Sequence, residues 1–339
     1  MKIYWSFSHL FTWSLLLLVT ACSTDFDVEA PWKDVPVVYG LLSRQDTAHY
    51  IRVEKAFLEP GGDATKIAQI TDSLYYSEKV QVHLQRLSNN QIFTLKRVNG
   101  AQEGYPRKDG VFAKEPSILY KIRAAELQLK EGEKIRLLIN RGEGQAPATA
   151  ETTILGDIKP RELNPPSPIN LGYDRVVNFA WDAAPAAKLF DLRLILHYRE
   201  SVPGNTNEFV NKTLTWVLTD ALTRSDNSMS NRVSYDTKGE EFYKFLQANL
   251  TPVSDRTRIF DSIDILITGV GEELLESLRL SQANTGITSA QTIPVYTNLS
   301  EGRGVFSSKA TAARTGLTIT QTAQDSLKNG RYTRGLNFQ

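Results

Sequence analysis

Arg175-Val176-Val177-Asn178-Phe179-Ala180-Trp181-Asp182 is followed, after a short turn with Pro185, by Leu189-Phe190-Asp191-Leu192-Arg193-Leu194-Ile195-Leu196-His197-Tyr198-Arg199-Glu200. Both runs are rich in β-branched and aromatic residues. The second alternates apolar with polar side chains, the period of a half-buried strand. The first ends in Trp and the second, after the proline turn, ends in Tyr. Lys212 to Leu218 and Phe260 to Thr268 read as further strands. Between and after them, Phe242, Phe245, Leu246 and Asn249 fall at helical spacing, and Glu240-Glu241 sits in the first turn, where the helix dipole favours acids. Glu272 to Gln282 reads as a second amphipathic helix, so 240–282 is expected to hold a helical insertion.

The first half has the same texture. Val35 to Leu42 and His49 to Ala56 read as strands, with Tyr50, Arg52 and Glu54 on one side of the pleat and Ile51 and Val53 on the other. Pro60-Gly61-Gly62-Asp63 is a turn. Lys79 to Leu87 alternates, Asn89-Asn90 turns it back, and Ile92 to Leu95 returns. Gly100 to Gly110 is a loop. Ser117 to Ala124, Lys134 to Ile139 and Ala148 to Leu155 complete the set. Short strands at regular spacing with polar turns predict β-sandwiches. Prolines at 160, 165, 166 and 168 mark a stiff spacer.

The Trp-turn-Tyr pattern resembles fibronectin type III and immunoglobulin-like domains, in which the tryptophan is a core residue, so the resemblance implies a core position for Trp181. The expected fold is therefore mainly β: two β-sandwich domains of that kind, the second with the helical insertion, behind a cleaved lipoprotein signal. The expected layout is signal 1–21, lipidated acidic tether 22–34, first domain 35–158, linker 159–168, second domain 169–320 and tail 321–339. The tail is polar and short in aliphatics, and is expected as a final strand with a loose end.

The signal rests on the N-terminus. Lys2 is the only charge before the apolar run Leu10 to Val19, which ends in Thr20-Ala21 and then Cys22, the single cysteine. A cationic start, an apolar centre and a small-residue cleavage site make a secretory leader. A cysteine directly after it resembles the lipobox of bacterial lipoproteins, which implies acyl chains on Cys22. The run falls short of the roughly 20 apolar residues that span a bilayer. Lipidation also removes the liability of an unpaired thiol in an oxidising compartment. Ser23 stands where an inner-membrane retention signal would have Asp. Asp25, Asp27 and Glu29 resemble the surface-export signal of Bacteroidota lipoproteins, and equally suit a solvated linker. The expected location is the outer membrane, with both faces left open.

Val38-Tyr39-Gly40-Leu41-Leu42 with Tyr50 to Leu58 looks like the start of a Bacteroidota lipoprotein family of unknown function. Tyr296-Thr297-Asn298-Leu299 with Gly302-Arg303-Gly304-Val305-Phe306 looks like its end. Members are often encoded beside TonB-dependent outer-membrane receptors. The resemblance implies location and context, and carries no catalytic residues.

Composition narrows the classes. The 339 residues are 41% hydrophobic and 9% aromatic, enough for packed cores. Losing the leader removes Lys2 and no acid, which turns 39 basic against 38 acidic residues into an even balance. A neutral chain has no electrostatic footprint for nucleic acid or anionic lipid. His49, His83 and His197 lie on separate strands without metal-ligand spacing, so no metal or cofactor is expected. Gly302-Arg303-Gly304 lacks the helix, Lys and Ser/Thr of a phosphate loop and reads as a tight turn that seats Phe306 in a core. Glu240-Glu241 and Glu272-Glu273 are explained by their places at helix starts.

Tyr105, Tyr198, Trp216, Tyr235 and Tyr296 are the candidate ligand contacts, because flat rings with polar edges suit sugars or peptides. Thr47, Ser73, Ser262 and Ser326, each after an Asp, match a short Bacteroidota O-glycosylation pattern. The expected function is a non-enzymatic outer-membrane lipoprotein that assists a TonB-dependent receptor by binding the receptor or its cargo. The alternatives are a structural or adhesive surface spacer, and a hydrolase whose site is assembled from scattered carboxylates.

Overall fold

The computed structural model describes residues 34–56, 63–142, 144–160, 164–203, 205–224, 230–283 and 295–339. Cys22, the leader and the tether up to residue 33 lie outside them. The structure is mainly β, with 46% strand and 17% helix in several sheets, compatible with a β-sandwich. No described helix is long and apolar enough to cross a membrane.

The first half contributes β1 (Pro36–Leu42), β2 (Ala48–Lys55), the helical turns α1 (Ala64–Ile67) and α2 (Thr71–Leu74), β3 (Gln81–Arg86), β4 (Ile92–Thr94), β5 (Lys96–Asn99), β6 (Ile118–Arg123), the turn α3 (Ala124–Leu127), β7 (Lys134–Asn140) and β8 (Ala148–Thr153). The second contributes β9 (Lys159–Pro160), β10 (Val176–Asp182), β11 (Leu189–Val202), β12 (Asn205–Thr223), β13 (Arg232–Lys238), α4 (Gly239–Asn249), β14 (Arg258–Val270), α5 (Glu272–Ala283), β15 (Arg303–Leu317) and α6 (Gln321–Asn329). A short 3-10 turn, Arg334–Leu336, follows.

One eight-stranded sheet, in the order β12-β11-β14-β15-β1-β2-β6-β5, takes strands from both halves. The joint is β15. Its first part runs parallel to β1, from Val37 opposite Arg303 to Leu42 opposite Ser308. Its second part runs antiparallel to β14, from Val270 opposite Lys309 to Ile263 opposite Leu317. A four-stranded sheet, β4-β3-β7-β8, faces the first part, and a three-stranded sheet, β13-β10-β9, belongs to the second half.

Two cores lie under this frame. The first is built from Val38, Leu42, Ile51 and Val53 against Val82, Leu84, Ile135, Leu137 and Ile139. Leu299 and Phe306, from far along the chain, complete it. The alternation of β1 turns Gly40 inward, where an added Cβ would meet the Phe306 ring at 3.2 Å, so glycine makes room for that ring. The second core holds Trp181 edge-on to Phe190, with ring centroids 5.6 Å apart, and Leu192, Leu194 and Leu196. It also takes Phe242, Tyr243 and Leu246 from α4. The insertion thus supplies part of this core.

The Tyr296–Phe306 stretch proves to be a latch. The Asn298 amide donates to the carbonyls of Phe306 at 2.7 Å and Glu151 at 3.1 Å, while its Oδ1 accepts from Phe306 N at 3.0 Å. One side chain thereby ties β15 to β8 of the facing sheet. The proline segment is fastened too: β9 pairs with β10, and Arg314 Nη1 donates to Pro165 O at 2.8 Å.

The tail differs from the expected strand and loose end. Thr320 caps α6 by accepting from Ala323 N at 3.4 Å. Ala323 and Leu327, four apart and so on one helix face, are buried, as are Leu336 and Phe338 beyond it. Four apolar residues spaced for one face and one turn suffice to dock a polar segment.

His49 is a buried polar group whose two ring nitrogens have no partner among the described residues. Burial pushes its imidazole below the ordinary value; Asp46 opposes this and Lys309 adds to it. The unfolded chain, titrating near 6.5, binds the proton more readily than the native state. His49 therefore contributes stability above about pH 6.5 that is lost as pH falls through that value toward the lowered native one. Replacing an unpartnered buried polar group with an apolar one is neutral or stabilising. Urea titrations of His49→Leu are expected to show an equal or higher midpoint at pH 7 and a shallower fall toward pH 5. An unchanged fall would contradict the assignment.

Candidate functional site

The outer face of the central strands carries the candidate site. On β1 the residues beside Gly40 point outward, and Tyr39 is 57% exposed. On β2 the outward phase brings Tyr50 to the same face. The loop after β5 folds back over it through Gly100, whose N donates to Ser117 O and whose O accepts from Tyr105 N. This sets the Tyr105 ring, 54% exposed, at 4.8 Å from that of Tyr50.

These rings and Leu41 border a groove of about 690 Å³, with Asp46, Glu103 and Lys309 at its edges. Tyr50 donates its hydroxyl to Glu103 Oε2 at 2.9 Å, and Lys121 Nζ reaches the same oxygen at 2.5 Å. Those two hydrogen bonds, Lys121's first, hold the Glu103 carboxyl below the usual carboxylate range. Burial first, then the bond to Glu103, raises the Tyr50 phenol, so it stays a donor at neutral pH. Lys309 pairs with Asp46 at 3.5 Å. Gln45 is clipped to the Thr311 backbone by bonds of 2.6 and 2.8 Å, which fixes the β1–β2 turn against β15. Aromatic faces flanked by fixed charges can hold an amphipathic ligand such as a sugar or a peptide.

Of the five aromatics singled out in the sequence, the structure brings only Tyr105 to this groove. Tyr198 is a correction: it is buried against Phe338, with ring centroids 6.0 Å apart, and presents no face to solvent. It falls in phase with Leu192, Leu194 and Leu196, the inward side of β11. Trp216 is half-buried and stacked on Phe245 at 5.4 Å. Tyr235 packs on the second core from β13. Tyr296 is half-buried beside the acids of α5, and burial followed by Glu273 raises its phenol. Tyr39 and Tyr50, which also border the groove, were not among the five, although their outward phase on β1 and β2 was the available signal.

Thr47 lies exposed at the groove edge in the β1–β2 turn. Ser73 is half-buried in α2, and Ser262 is half-buried within β14 opposite His197. Ser326, in α6, donates to Thr322 O at 2.9 Å. The histidines are dispersed: His83 contacts Thr94 at 3.0 Å and His197 contacts Asp264 at 2.8 Å. Among the described residues no group of three His, Cys, Asp or Glu side chains is placed to hold a metal ion.

The paired acids have structural partners. Glu240 accepts from Tyr332 at 2.7 Å and from Arg331, and Glu273 accepts from Ser307 Oγ at 2.7 Å. A second cavity, of about 550 Å³, is polar and lined by Glu131, Asp157, Lys159, Asp182 and Arg232. Two of these acids also meet Arg44, Asp157 at 3.1 Å and Glu131 at 3.9 Å. Set against known families and curated proteins, the chain matches no family and no curated protein.

Proposed function

We propose that this chain is an outer-membrane lipoprotein, anchored through acyl chains on Cys22, that assists a TonB-dependent receptor without catalysing a reaction. In this reading its two halves are immunoglobulin- or fibronectin III-like sandwiches. The groove over Tyr39, Tyr50 and Tyr105 holds the receptor or its cargo. One observation carries the binding role: three tyrosines and a hydrogen-bonded carboxylate converge on a solvent-facing groove, while the other singled-out aromatics pack into the molecule. A binding groove needs fixed rings and polar edges, and the Glu103–Tyr50–Lys121 cluster supplies both.

Tyr105→Ala removes a ring that contacts Tyr50 at the surface, so its expected cost in stability is under about 1 kcal/mol. The same change is expected to weaken retention of a glycan or peptide probe at least tenfold, measured on an array and by calorimetry with the best probe. Equal retention by the variant would remove the groove from the account.

The continuity of one eight-stranded sheet through both halves favours a second reading, a stiff surface spacer. It expects no array ligand and no receptor partner, so the same experiments separate it from the first.

A further inference from the structure

We propose that the end of the first half that holds Asp34 rests on the lipid bilayer through Ile70, Val111 and Phe112. The proposal builds on the reading of Cys22 as the lipidated residue.

Three observations carry it. First, Asp34 is the first described residue, and it is clamped in place. Its carboxylate accepts from Tyr76 at 2.6 Å, and its carbonyl accepts from Arg141 Nη1 at 2.7 Å. β1 begins two residues later, with Pro36 opposite Lys55, the last residue of β2. Second, Lys55 Nζ donates to Asp72 O at 2.6 Å, which puts α2 and the preceding Ile70 at this same end. Segments 68–71 and 111–115 run together there: Ala113 N donates to Ala68 O at 2.7 Å and Gln69 Nε2 to Val111 O at 2.5 Å. On these joined segments Ile70 is 53% exposed, Val111 56% and Phe112 40%. Third, eleven residues lie between Cys22 and Asp34, twelve chain steps with a reach of at most about 43 Å.

A lipid on Cys22 therefore keeps this end near the membrane at all times, and a cluster of exposed apolar side chains finds the bilayer as its nearest apolar phase. Two ion pairs flank the patch, Lys114 with Asp109 at 2.8 Å and Lys66 with Asp63 at 3.8 Å, and the Arg107 guanidinium, paired with Glu54, lies 5.2 Å from the Phe112 ring. The contact is thus an apolar one, and a neutral lipid surface suffices. Because β15 runs away from this end, the second half and the tip of the β11–β12 hairpin point from the membrane into solvent.

The test uses the lipidated full chain in neutral phosphatidylcholine vesicles. An environment-sensitive fluorophore is placed at Val111→Cys or Ile70→Cys, and at Val217→Cys on β12 as the distant control. Lipids with a nitroxide on the acyl chain serve as quenchers. The expected result is blue-shifted emission at 111 and 70, quenched several-fold more than at 217. Labels at 111 and 70 that respond no more than the one at 217 would overturn the proposal. So would a blue shift that appears in native outer membranes but not in the lipid vesicles, which would assign the patch to a protein neighbour. The mass of the N-terminal peptide from the same sample reports lipidation separately. An unlipidated chain whose labels are still quenched would discard the Cys22 reading and keep the membrane contact.

Discussion

Gly304→Ala is expected to cost about 3–5 kcal/mol, combining backbone strain with overpacking. Gly304 has a φ of +105°, and an added Cβ would stand 1.9 Å from the carbonyl oxygen of Val38. Both terms act at the parallel β1–β15 pairing, where Val38 and Gly304 are opposite each other. That pairing makes one sheet of the two halves and seats Phe306 in the first core. The variant has two ways to relieve the contact: part β1 from β15 or lift Phe306. Either opens the first core before the second, so unfolding should broaden or split into two transitions. The check is urea unfolding followed separately by hydrogen exchange on β7 and β11. A loss below about 1 kcal/mol, with one sharp transition, would mean that the joint contributes little.

Arg258→Met is the other large effect. Arg258 is buried and its Nε donates to Glu200 Oε2 at 2.8 Å. Its Nη1 donates to the carbonyls of Thr251 at 3.1 Å and Leu336 at 3.0 Å. Its backbone pairs with the tail, accepting from Gln339 N and donating to Asn337 O, both at 2.9 Å. Removing one partner of a buried ion pair leaves the other uncompensated, at a cost of about 3–5 kcal/mol. Arg256 stays within 3.4 Å of Glu200, which favours the lower end. The side-chain bond to the tail carbonyl of Leu336 goes at the same time, so residues 334–339 should become open to carboxypeptidase. Arg258→Met with Glu200→Gln removes both charges and should cost less than the sum of the single changes. Strict additivity would contradict the coupling.

Much of the strand order was legible because one-sided burial imposes period two. β2, β3, β7 and β11 show it, and Trp181 and Phe306 are in the cores their surroundings predicted. α4 was legible because Phe242 and Leu246 are four apart. β13 was not read: Arg232 to Lys238 places only Val233 fully inside, so almost no apolar pattern marks it. The β1–β15 pairing was out of reach for a different reason. Parallel pairing across more than 260 residues leaves no local periodicity, and its one trace is the pair of glycines beside Arg303. The groove was half legible. Tyr105 stood out in a loop, whereas Tyr39 and Tyr50 were read as strand residues first. For Tyr198 the register of β11 already contained the answer, since a tyrosine in phase with three leucines faces the core.

The most direct measurement is a mild-detergent pull-down of the tagged native protein from outer membranes, with Cys22→Ala as the control. A β-barrel receptor should be recovered with the native form, in lower yield when Tyr39 and Tyr105 are both alanine, and be absent from the Cys22→Ala sample. Recovery of the chain alone, from material whose N-terminal peptide is shown by mass to carry lipid, would contradict the proposed function.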